Sequence, residues 1–435
     1  MRLGPAPQIA FVGAGGKSKA LFLLARQFTR PVLVTTSTHL SVQQTLMGDQ
    51  HLIVGTPGEV DQLDAASLPA VTVVTNVINE EERAIGLSPE ALAALSAFAR
   101  WHEMPLLIEA DGARQRTLKA PAEHEPAIPP FVDTVVVAAG LSALGKPLDE
   151  KFVHRPERFA DLAGMQIGQE INPGHVIAVL LHLLGGQKNI PSTARRVVLL
   201  NQADTAELEG AARRISETLL AGFDAVLVAA LERIPEVRAV YEPIAGILLA
   251  AGGSQRLGDP KALLDWKGRP FVRQVAETAL AARLSPLVVV TGADAERVEA
   301  ALSGLAVRFV RNTSWREGQS TSVKAGLSAL PSKIGAALFL MVDQPQLPAA
   351  LIETLRAEHA GGLAPIVAPM VDGNRSNPVL FDRATFADFA QLQGDVGGRG
   401  IFSKHPVTWL PWLDPSLAID VDTPDDYNRL LRQAG

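Results

Sequence analysis

The sequence contains no cysteine, which excludes disulfides, thiolate metal sites and a cysteine nucleophile. Aromatic residues make up only 5% of the chain against 47% hydrophobic residues, a balance typical of α/β layers rather than an aromatic-rich sandwich. With a formal net charge of −6, the chain also lacks the basic field that attracts nucleic acids or anionic membrane surfaces. An anionic ligand must therefore be bound by a few local cations and backbone amides.

Long apolar runs are absent as well. No stretch approaches the roughly 18 consecutive apolar residues of a membrane span. The N-terminus has no charged segment followed by an apolar one, and it reaches an apolar run at Ile9–Val12 after a few residues. We therefore expect a cytoplasmic protein that binds neither membranes nor nucleic acids.

The 435 residues contain two successive series of alternating strands and helices. The helices predicted in the first series include Ala20–Phe28 and Pro89–Arg100. We predict strands at Ile9–Val12, Val32–Thr35, Val71–Thr75, Leu106–Glu109, Thr134–Ala138, Val197–Leu200 and Ala225–Val228, and then at Ile247–Leu249, Leu287–Thr291, Val307–Val310, Ala337–Val342 and Ile366–Pro369.

The alternation predicts an α/β fold, with two three-layer α/β/α (Rossmann-like) domains in tandem, each with a mostly parallel sheet. Segment 234–243 has two prolines and no clear period, so we place the boundary there, with domains at 1–235 and 244–435. Each half begins with a strand, a glycine-rich turn and a helix. Because open parallel sheets bind ligands beyond the carboxyl ends of their strands, both turns are expected at site edges.

The most informative segment is 249–261, LAAGGSQRLGDPK, which follows a predicted buried strand. Its small residues let the backbone approach a ligand, and Arg256 and Lys261 are spaced to reach one polyphosphate. Exposed backbone N–H groups and two cations are what a nucleoside triphosphate needs. The alternative is an ordinary glycine-rich turn with two solvated cations.

Acidic residues that could bind a metal occur at two later places in the second half of the chain. Asp343 ends the apolar run Ala337–Val342 and is placed to hold Mg²⁺ at a strand's carboxyl end. Asp420 and Asp422 are expected on one face of a strand, ahead of a helix capped at Thr423 with an acidic first turn, and one of them would complete the metal site. Alternatively, Asp343 is a turn residue and the later acids only complement a helix dipole.

Two more segments complete the second half. Segment 312–322 carries small hydroxyl residues at a helix start, which offer donors to a base or a phosphate; simple N-capping by Ser320 or Thr321 is the alternative. Segment 372–380 is expected to form a hairpin-like turn that closes over a second substrate.

Together these segments resemble the MobA-like nucleotidyltransferase superfamily, and within it the molybdenum cofactor cytidylyltransferases, over about residues 244–432. The family's LAAGxSxRxGxPK loop, its Asp-Gln-Pro, its Asp-x-Asp-Thr-Pro and its CTP-associated Glu-Gly-x-x-Thr-Ser are matched at 249–261, 343–345, 420–424 and 317–322. Ser376 stands where family members often have glycine.

The resemblance implies transfer of CMP from CTP to the terminal phosphate of molybdopterin, with release of pyrophosphate. It places Lys261 at the α-phosphate and Arg256 on the leaving phosphates, with Mg²⁺ on Asp343 and either Asp420 or Asp422. The nucleotide-binding residues it implies are Ala250, Ala251, Gly252, Gly253, Glu317, Gly318, Thr321 and Ser322.

In the first half, the turn GAGGKS at 13–18 lies between a strand and a helix. It is shorter than a full P-loop, since Phe11 occupies the place of the first glycine. We predict that it binds the phosphates of ATP or GTP, with Ser18 on Mg²⁺; a plain strand–helix turn is the alternative. The residues predicted to bind there are Gly13, Gly15, Gly16, Lys17, Ser18 and Asp111.

Other segments of this half add weaker signals. Glu109 and Asp111 end an apolar strand and are placed to order a metal-bound water, unless Glu109 is solvated. Segment 201–204, NQAD, is similar to the guanine-reading motif of GTPases but has Gln202 in place of its lysine. The polar runs 113–126 and 154–158 are interpreted as solvated loops.

These pieces, spread over about residues 8–230, resemble the YqeC-type accessory proteins of selenium-dependent hydroxylases. The combined expectation is a bifunctional protein that serves enzymes of the xanthine dehydrogenase class and transiently contacts a molybdenum hydroxylase or its chaperone. Three alternatives stay open for the second half: transfer of GMP or another nucleotidyl group to a phosphate acceptor, non-catalytic carriage of the finished cofactor, and nicotinamide-dependent reduction.

Overall fold

In the computed structural model, which describes residues 2–253 and 260–434, the chain divides into two units, Met1–Tyr241 and Glu242–Gly435. The boundary segment 234–243 contains a strand, Glu236–Tyr241, which pairs antiparallel with Ala225–Ala230 and so belongs to the first unit. Its residues are exposed or half-buried throughout, but Ala239 and Tyr241 share one face of the strand and pack against the core of the first unit.

The first unit consists of thirteen described strands and seven helices. The strands are β1 (Gln8–Gly13), β2 (Val32–Thr36), β3 (His39–Ser41), β4 (Gln50–Ile53), β5 (Val71–Thr75), β6 (Arg83–Ile85), β7 (Leu106–Glu109), β8 (Leu118–Lys119), β9 (Thr134–Gly140), β10 (Val153–His154), β11 (Arg195–Asn201), β12 (Ala225–Ala230) and β13 (Glu236–Tyr241). The helices are α1 (Lys17–Ala25), α2 (Val42–Thr45), α3 (Pro57–Val60), α4 (Pro89–Trp101), α5 (Pro156–Ala163), α6 (Pro173–Leu181) and α7 (Ala206–Leu219).

Nine of these strands form one sheet in the order β13-β12-β11-β9-β1-β7-β2-β5-β4, parallel except for β13. The central strands are buried on both faces. Ala10 and Val12 of β1 pack with α4, α6 and α7, whereas Ile9 and Phe11 pack with α1 on the opposite face. This arrangement gives the three layers.

The second unit has ten described strands and five helices. The strands are β14 (Ile244–Ala250), β15 (Asp265–Trp266), β16 (Arg269–Pro270), β17 (Leu287–Thr291), β18 (Val307–Arg311), β19 (Ala336–Met341), β20 (Ile366–Val371), β21 (Asn374–Arg375), β22 (Val379–Asp382) and β23 (Val407–Pro411). The helices are α8 (Phe271–Ala281), α9 (Ala295–Ala301), α10 (Gln319–Ser328), α11 (Ala349–Gly362) and α12 (Pro424–Ala434).

The main sheet of the second unit runs β18-β17-β14-β19-β22-β20-β21, and β23 pairs with β20. It is mixed, because β22 is antiparallel to both β19 and β20. One face packs against α8, α9 and α11, and the other packs against α10 and the short helical turns 383–391 and 398–401. The α/β prediction, with two layered units and mostly parallel sheets, is thereby confirmed.

The predicted helices and strands agree with the structure within a few residues. The helix predicted at Ala20–Phe28 instead begins at Lys17 and ends at Ala25, because its first turn belongs to the glycine-rich loop. None of the helices in the described part of the chain has the length and apolar composition that crossing a bilayer requires.

Candidate active site

A cleft of about 1190 Å³ opens at the carboxyl ends of β14 and β19 in the second unit. Predicted site residues from four separate segments line it, namely Ala250, Ala251, Gly252, Gly253, Lys261, Glu317, Gly318, Ser322, Asp343, Asp420 and Asp422. Arg256 lies outside the described residues. The fold therefore brings together segments that are far apart in the sequence.

The centre of this cleft is a lysine held between two carboxylates. Lys261 begins a short 3₁₀ turn, Asp343 follows β19, and Asp422 precedes α12. Lys261 Nζ donates to Asp343 Oδ2 at 3.1 Å and to Asp422 Oδ1 at 2.6 Å. Three segments thus meet at one ammonium group.

Charge coupling at this centre is strong because the groups are partly withdrawn from water. Burial alone would lower the pKa of Lys261, but the charges of Asp343 and Asp422 raise it above its ordinary value. Burial, together with the charge of Asp343, raises the pKa of Asp420 to about 6. Asp420 is held by Gln344, whose Nε2 donates to its Oδ1 at 2.9 Å.

The expectation that Asp420 and Asp422 lie on a strand is wrong. Residues 419–423 form an irregular segment between a short 3₁₀ turn and α12. Apolar and acidic residues nevertheless alternate between two sides of this segment. Ile419 and Val421 are buried against Phe271, while the two aspartates face the cleft. The cap at Thr423 is confirmed, since its hydroxyl accepts from Asp426 N at 3.2 Å.

The residues of this centre fit a divalent cation that is shared with a polyphosphate. Asp343 Oδ1 is buried and has no hydrogen-bond partner among the described residues. A carboxylate oxygen in that state is available as a ligand. Within the described ranges no group of three or more acidic or histidine side chains forms a complete ligand set. One or two carboxylates suffice for Mg²⁺, which takes its remaining ligands from phosphates and water.

The glycine-rich loop is shaped by an aromatic neighbour. A Cβ on Gly253 would lie 3.0 Å from the ring of Trp315, whereas a Cβ on Gly252 would meet nothing within 4 Å. Gly253 therefore lets the loop pack against Trp315, and Gly252 borders open space in the cleft.

The start of α10 forms another wall, and the alternative of N-capping by Ser320 or Thr321 is wrong. Gly318 is the N-cap, with φ of 113°, and it packs against the backbone of Gly394. Thr321 and Ser322 instead accept from Asn312 Nδ2, at 2.8 and 2.9 Å. Ser322 lines the cleft, while Thr321 lies in the wall behind it.

The predicted hairpin is confirmed as β20 and β21, which pair antiparallel. Arg375 and Asn377 from this hairpin line the cleft. Ser376 is buried, and its hydroxyl donates to Leu417 O at 3.1 Å. Its side chain therefore ties the hairpin to the 415–418 turn.

Some cleft residues were not predicted from the sequence. Gln319, Asp395, Arg399 and Phe402 also line the cleft, and three of them follow the hairpin in a segment without regular periodicity. The one signal there is the glycine-rich run at 394–400, GDVGGRG. Such a run predicts close backbone packing, which the contact between Gly394 and Gly318 shows.

The first unit has a separate polar cluster at the carboxyl ends of β1 and β7. Gly13, Gly15 and Gly16 all have positive φ, and a Cβ on Gly15 would lie 2.4 Å from Gly140 N. The loop therefore needs glycine. Lys17 Nζ donates to Gly13 O at 3.0 Å and lies 3.1 Å from Asp111 Oδ1.

Glu109, the last residue of β7, and Asp111, two residues beyond it, are both engaged with this loop, so the alternative of a solvated Glu109 is wrong. Glu109 Oε2 accepts from the Ser18 hydroxyl at 2.7 Å, and Asp111 Oδ2 accepts from Gly13 N at 3.0 Å. Burial raises the pKa of Glu109, and the nearby charge of Lys17 opposes that rise. Asn201 Nδ2 donates to Gly15 O at 2.7 Å, which fixes the loop from the other side.

The interpretation of segments 113–126 and 154–158 as solvated loops is also wrong for their central residues. Lys119 Nζ lies 2.7 Å from Asp111 Oδ2 and 2.9 Å from Glu125 Oε2, with a side chain 1% exposed. Arg155 donates to both oxygens of Glu125, at 2.8 and 3.1 Å. Burial would raise the pKa of Glu125, but hydrogen bonds from Lys119 and Arg155 lower it to about 2.

Comparison with known proteins gives one family for each unit. The model of the MobA-like NTP transferase domain matches residues 246–408, and that of the YqeC protein matches residues 9–157. The chain is 34% identical over 209 residues to the uncharacterized protein YqeC of Escherichia coli, covering 46% of this chain and 77% of that protein.

Two further comparisons concern single proteins. Nicotine blue oxidoreductase of Paenarthrobacter nicotinovorans is 35% identical over 199 residues, covering 43% of this chain and 96% of that protein. The crystal structure of Rv0371c from Mycobacterium tuberculosis has 29% identity and a TM-score of 0.40, covering 44% of this chain and 98% of that one. The family models and the sequence relatives show that the chain belongs to the MobA-like NTP transferase family and carries a YqeC domain in its N-terminal half.

Proposed function

We propose that the second unit transfers CMP from CTP to the terminal phosphate of molybdopterin, with Mg²⁺ as cofactor, and releases pyrophosphate. The observation that carries this proposal is the position of Lys261 between Asp343 and Asp422, beside the loop residues Ala250–Gly253. Family membership supports nucleotidyl transfer, and the Glu317–Ser322 motif supports cytidine as the nucleoside.

In this reaction the acceptor's phosphate oxygen attacks the α-phosphorus of CTP. The bond between the α-phosphorus and the oxygen that bridges to the β-phosphate breaks. That oxygen keeps the bonding electrons and leaves as part of pyrophosphate. The backbone of the loop approaches the triphosphate, and Lys261 neutralises charge at the α-phosphate. The leaving phosphates are assigned to Arg256.

Asp343, with Asp420 or Asp422, would hold the cation in this account. Mg²⁺ neutralises triphosphate oxygens when it is bound. The carboxylates contribute by fixing that charge at the edge of β19, and Gln344 orients Asp420 toward it. The ammonium of Lys261 bridges Asp343 and Asp422 in this structure. When the triphosphate binds, this ammonium would contact a phosphate oxygen in place of one of the two carboxylates.

The test is to incubate the protein with Mg²⁺, molybdenum-loaded molybdopterin and either CTP or GTP, and to quantify pyrophosphate. The proposal expects release with CTP, little with GTP, and loss of release in Asp343→Ala. Release with GTP alone would make the unit a guanylyltransferase. Acceptor binding without any pyrophosphate, unchanged in the variant, would favour a non-catalytic carrier.

For the first unit we propose a nucleotide-binding accessory function in maturation of a molybdenum hydroxylase. Gly13 N, Ala14 N and Gly15 N already donate within the protein, so Lys17 and the N–H groups at the start of α1 would bind phosphates of ATP or GTP, and Ser18 with Asp111 would serve the metal. Binding of labelled ATP and GTP to Lys17→Met tests this, because the variant should bind neither. Normal binding of both would refute the phosphate role.

A further inference from the structure

A separate pocket of about 330 Å³, here called the Trp266 pocket, opens in the second unit. Its lining comes from β15, α8, α12, the segment after β19 and the turn 415–418. Within residues 2–253 and 260–434, none that lines it also lines the cleft. Its volume falls in the range of pockets that bind small organic molecules, which begins at about 300 Å³. Because both substrates of the proposed reaction are assigned to the cleft, this pocket is left without a ligand.

The Trp266 pocket contains a buried amide oxygen that is available to a ligand. Gln346 lines the pocket, and its Oε1 accepts no hydrogen bond in the part of the chain that the structure describes. The amide nitrogen is occupied, because it donates to Ser416 O at 3.0 Å and to Ile419 O at 2.8 Å. These two hydrogen bonds fix the amide group. Since buried oxygens of this kind normally accept a hydrogen bond, Oε1 is suited to a donor on a bound molecule.

A cation and an apolar surface complete the Trp266 pocket. Lys267 lies in the exposed turn between β15 and β16, and its Nζ is 5.2 Å from the centroid of the Trp266 ring. It forms no ion pair with any carboxylate among the described residues. Trp266 and Leu430 supply the apolar surface, and both are buried. An ammonium without a carboxylate partner favours an anionic ligand, and the apolar surface favours a hydrocarbon or aromatic body.

Hydrogen bonds connect the Trp266 pocket to the carboxylates of the cleft. Asp343 lines the cleft, and Gln346, three residues later, lines the pocket. Gln344, between them, donates to Asp420 Oδ1 at 2.9 Å, and Gln346 donates to the carbonyl oxygen of the preceding residue, Ile419, at 2.8 Å. A ligand that contacts Gln346 therefore acts on both segments that carry the aspartates of the cleft.

The apolar surface of the Trp266 pocket makes a second connection. Trp266 and Leu430 belong to one hydrophobic cluster with Ile419 and Val421, whose neighbours in the chain are the two aspartates of the cleft. An apolar group in the pocket would pack against this cluster and restrict the segment 419–423. Because an ordered segment costs less entropy when the second ligand binds, the two sites should bind their ligands cooperatively.

We infer that the Trp266 pocket is an effector site that binds a small zwitterion with an apolar body, of the class of aliphatic and aromatic amino acids. The carboxylate of the ligand pairs with Lys267, its ammonium donates to Gln346 Oε1, and its side chain packs on Trp266 and Leu430. Ordering of the segment 419–423 then strengthens binding of CTP with Mg²⁺ in the cleft. The site itself is independent of the proposed function, whereas its effect on CTP rests on that function.

Calorimetry on the full-length protein tests the site with leucine, phenylalanine, glycine and two fragments of leucine. The fragment 4-methylpentanoate lacks the ammonium, and 3-methylbutylamine lacks the carboxylate. We expect leucine to bind about 10-fold more tightly than either fragment, because each fragment loses one charged hydrogen bond. Glycine should not bind, since it has no apolar body. In Lys267→Ala the Kd of leucine should rise about 10-fold, and the Kd of the amine should not change.

The matched control is Lys404→Ala, because this exposed lysine of the same unit pairs with Asp388 and lines neither the cleft nor the Trp266 pocket. It removes the same charge elsewhere, so the Kd of leucine should not change. The site is refuted if neither leucine nor phenylalanine binds the native protein, or if Lys267→Ala binds leucine as the control does.

Titration of CTP with Mg²⁺, with and without saturating leucine, measures the coupling between the two sites. We expect leucine to lower the Kd of CTP about 5-fold. If leucine binds through Lys267 but leaves the Kd of CTP unchanged or raises it, the effector role is refuted. If the native protein binds leucine but not CTP, the proposed function of the cleft fails, and the effector role with it, whereas the amino-acid site stands.

Discussion

The side chain of Asp420 is poised between two protonation states. Its pKa of about 6 arises from burial and from the charge of Asp343, whereas an unfolded aspartate has its ordinary value of 3.8. In the metal-free protein its proton therefore adds stability that is full below about pH 4 and is lost as the pH rises through 6. A bound cation would remove that penalty.

We predict that Asp420→Asn raises the melting temperature of the metal-free protein at about pH 7.5, because the asparagine mimics the protonated acid. The gain should shrink as the pH is lowered through 6. Thermal melts in the presence of a chelator measure this. A variant that melts below the native protein at high pH, with the same slope, would contradict the coupling.

Several site residues can be predicted individually from the sequence, because they lie in a glycine-rich loop or directly after an apolar strand. Gly253, Lys261 and Asp343 belong to this class, and all line the cleft. Phe402 does not, because its contact with Arg375 of the predicted hairpin arises from a distant segment without regular periodicity. The buried ion pairs of Lys119 were not predicted for the same reason, because its partners depend on how an irregular loop packs.

At the scale of elements, the buried strands were predictable, whereas exposed edges and short antiparallel strands were not. Val71–Thr75 and Leu287–Thr291 are fully buried and match their predicted bounds. By contrast, β4 and β23 are exposed or half-buried and show no clear apolar pattern. β22 is buried but short, and its pairing with β19 depends on the hairpin.

The junction between α10 and the 394–400 run gives an element-scale prediction. In Gly318→Ala, the added Cβ would lie 2.2 Å from the Gly394 backbone at a φ of 113°. We expect a loss of about 1–3 kcal/mol in the free energy of unfolding, together with weaker CTP binding, because the start of α10 must move.

The control for this junction is Gly304→Ala, which also has positive φ, 83°, but meets nothing within 4 Å. It carries the backbone strain without the clash. Urea unfolding of both variants, with CTP titration, separates the two effects. Equal losses in the two proteins, with CTP binding intact in both, would show that the junction does not support the site.

At the scale of the whole molecule, each unit has its own hydrophobic cores. The clusters around β1 and α4 contain only residues of the first unit, and those around β14 and α8 contain only residues of the second. Both units are of ordinary domain size. The two-domain organisation followed from the repeated strand–turn–helix pattern, although β13 carries the first unit through most of the predicted boundary segment.

We predict that residues 1–241 and 242–435 fold separately, because each hydrophobic cluster among residues 2–253 and 260–434 draws its side chains from one unit. Each half should give a cooperative melt and dispersed NMR spectra. The second half alone should release pyrophosphate at a rate close to that of the full chain. An unfolded or inactive second half would mean that the units depend on each other.

The fate of the CTP phosphates tests the central claim most directly. With CTP labelled at the α- or γ-phosphate, the α-label should move into the pterin product and the γ-label should leave as pyrophosphate. Asp343→Asn should abolish α-label transfer, whereas Asp425→Asn, at an acid in the exposed first turn of α12, should retain it. Transfer of the γ-label, or undiminished α-label transfer by Asp343→Asn, would contradict a nucleotidyl transfer centre at Lys261 and Asp343.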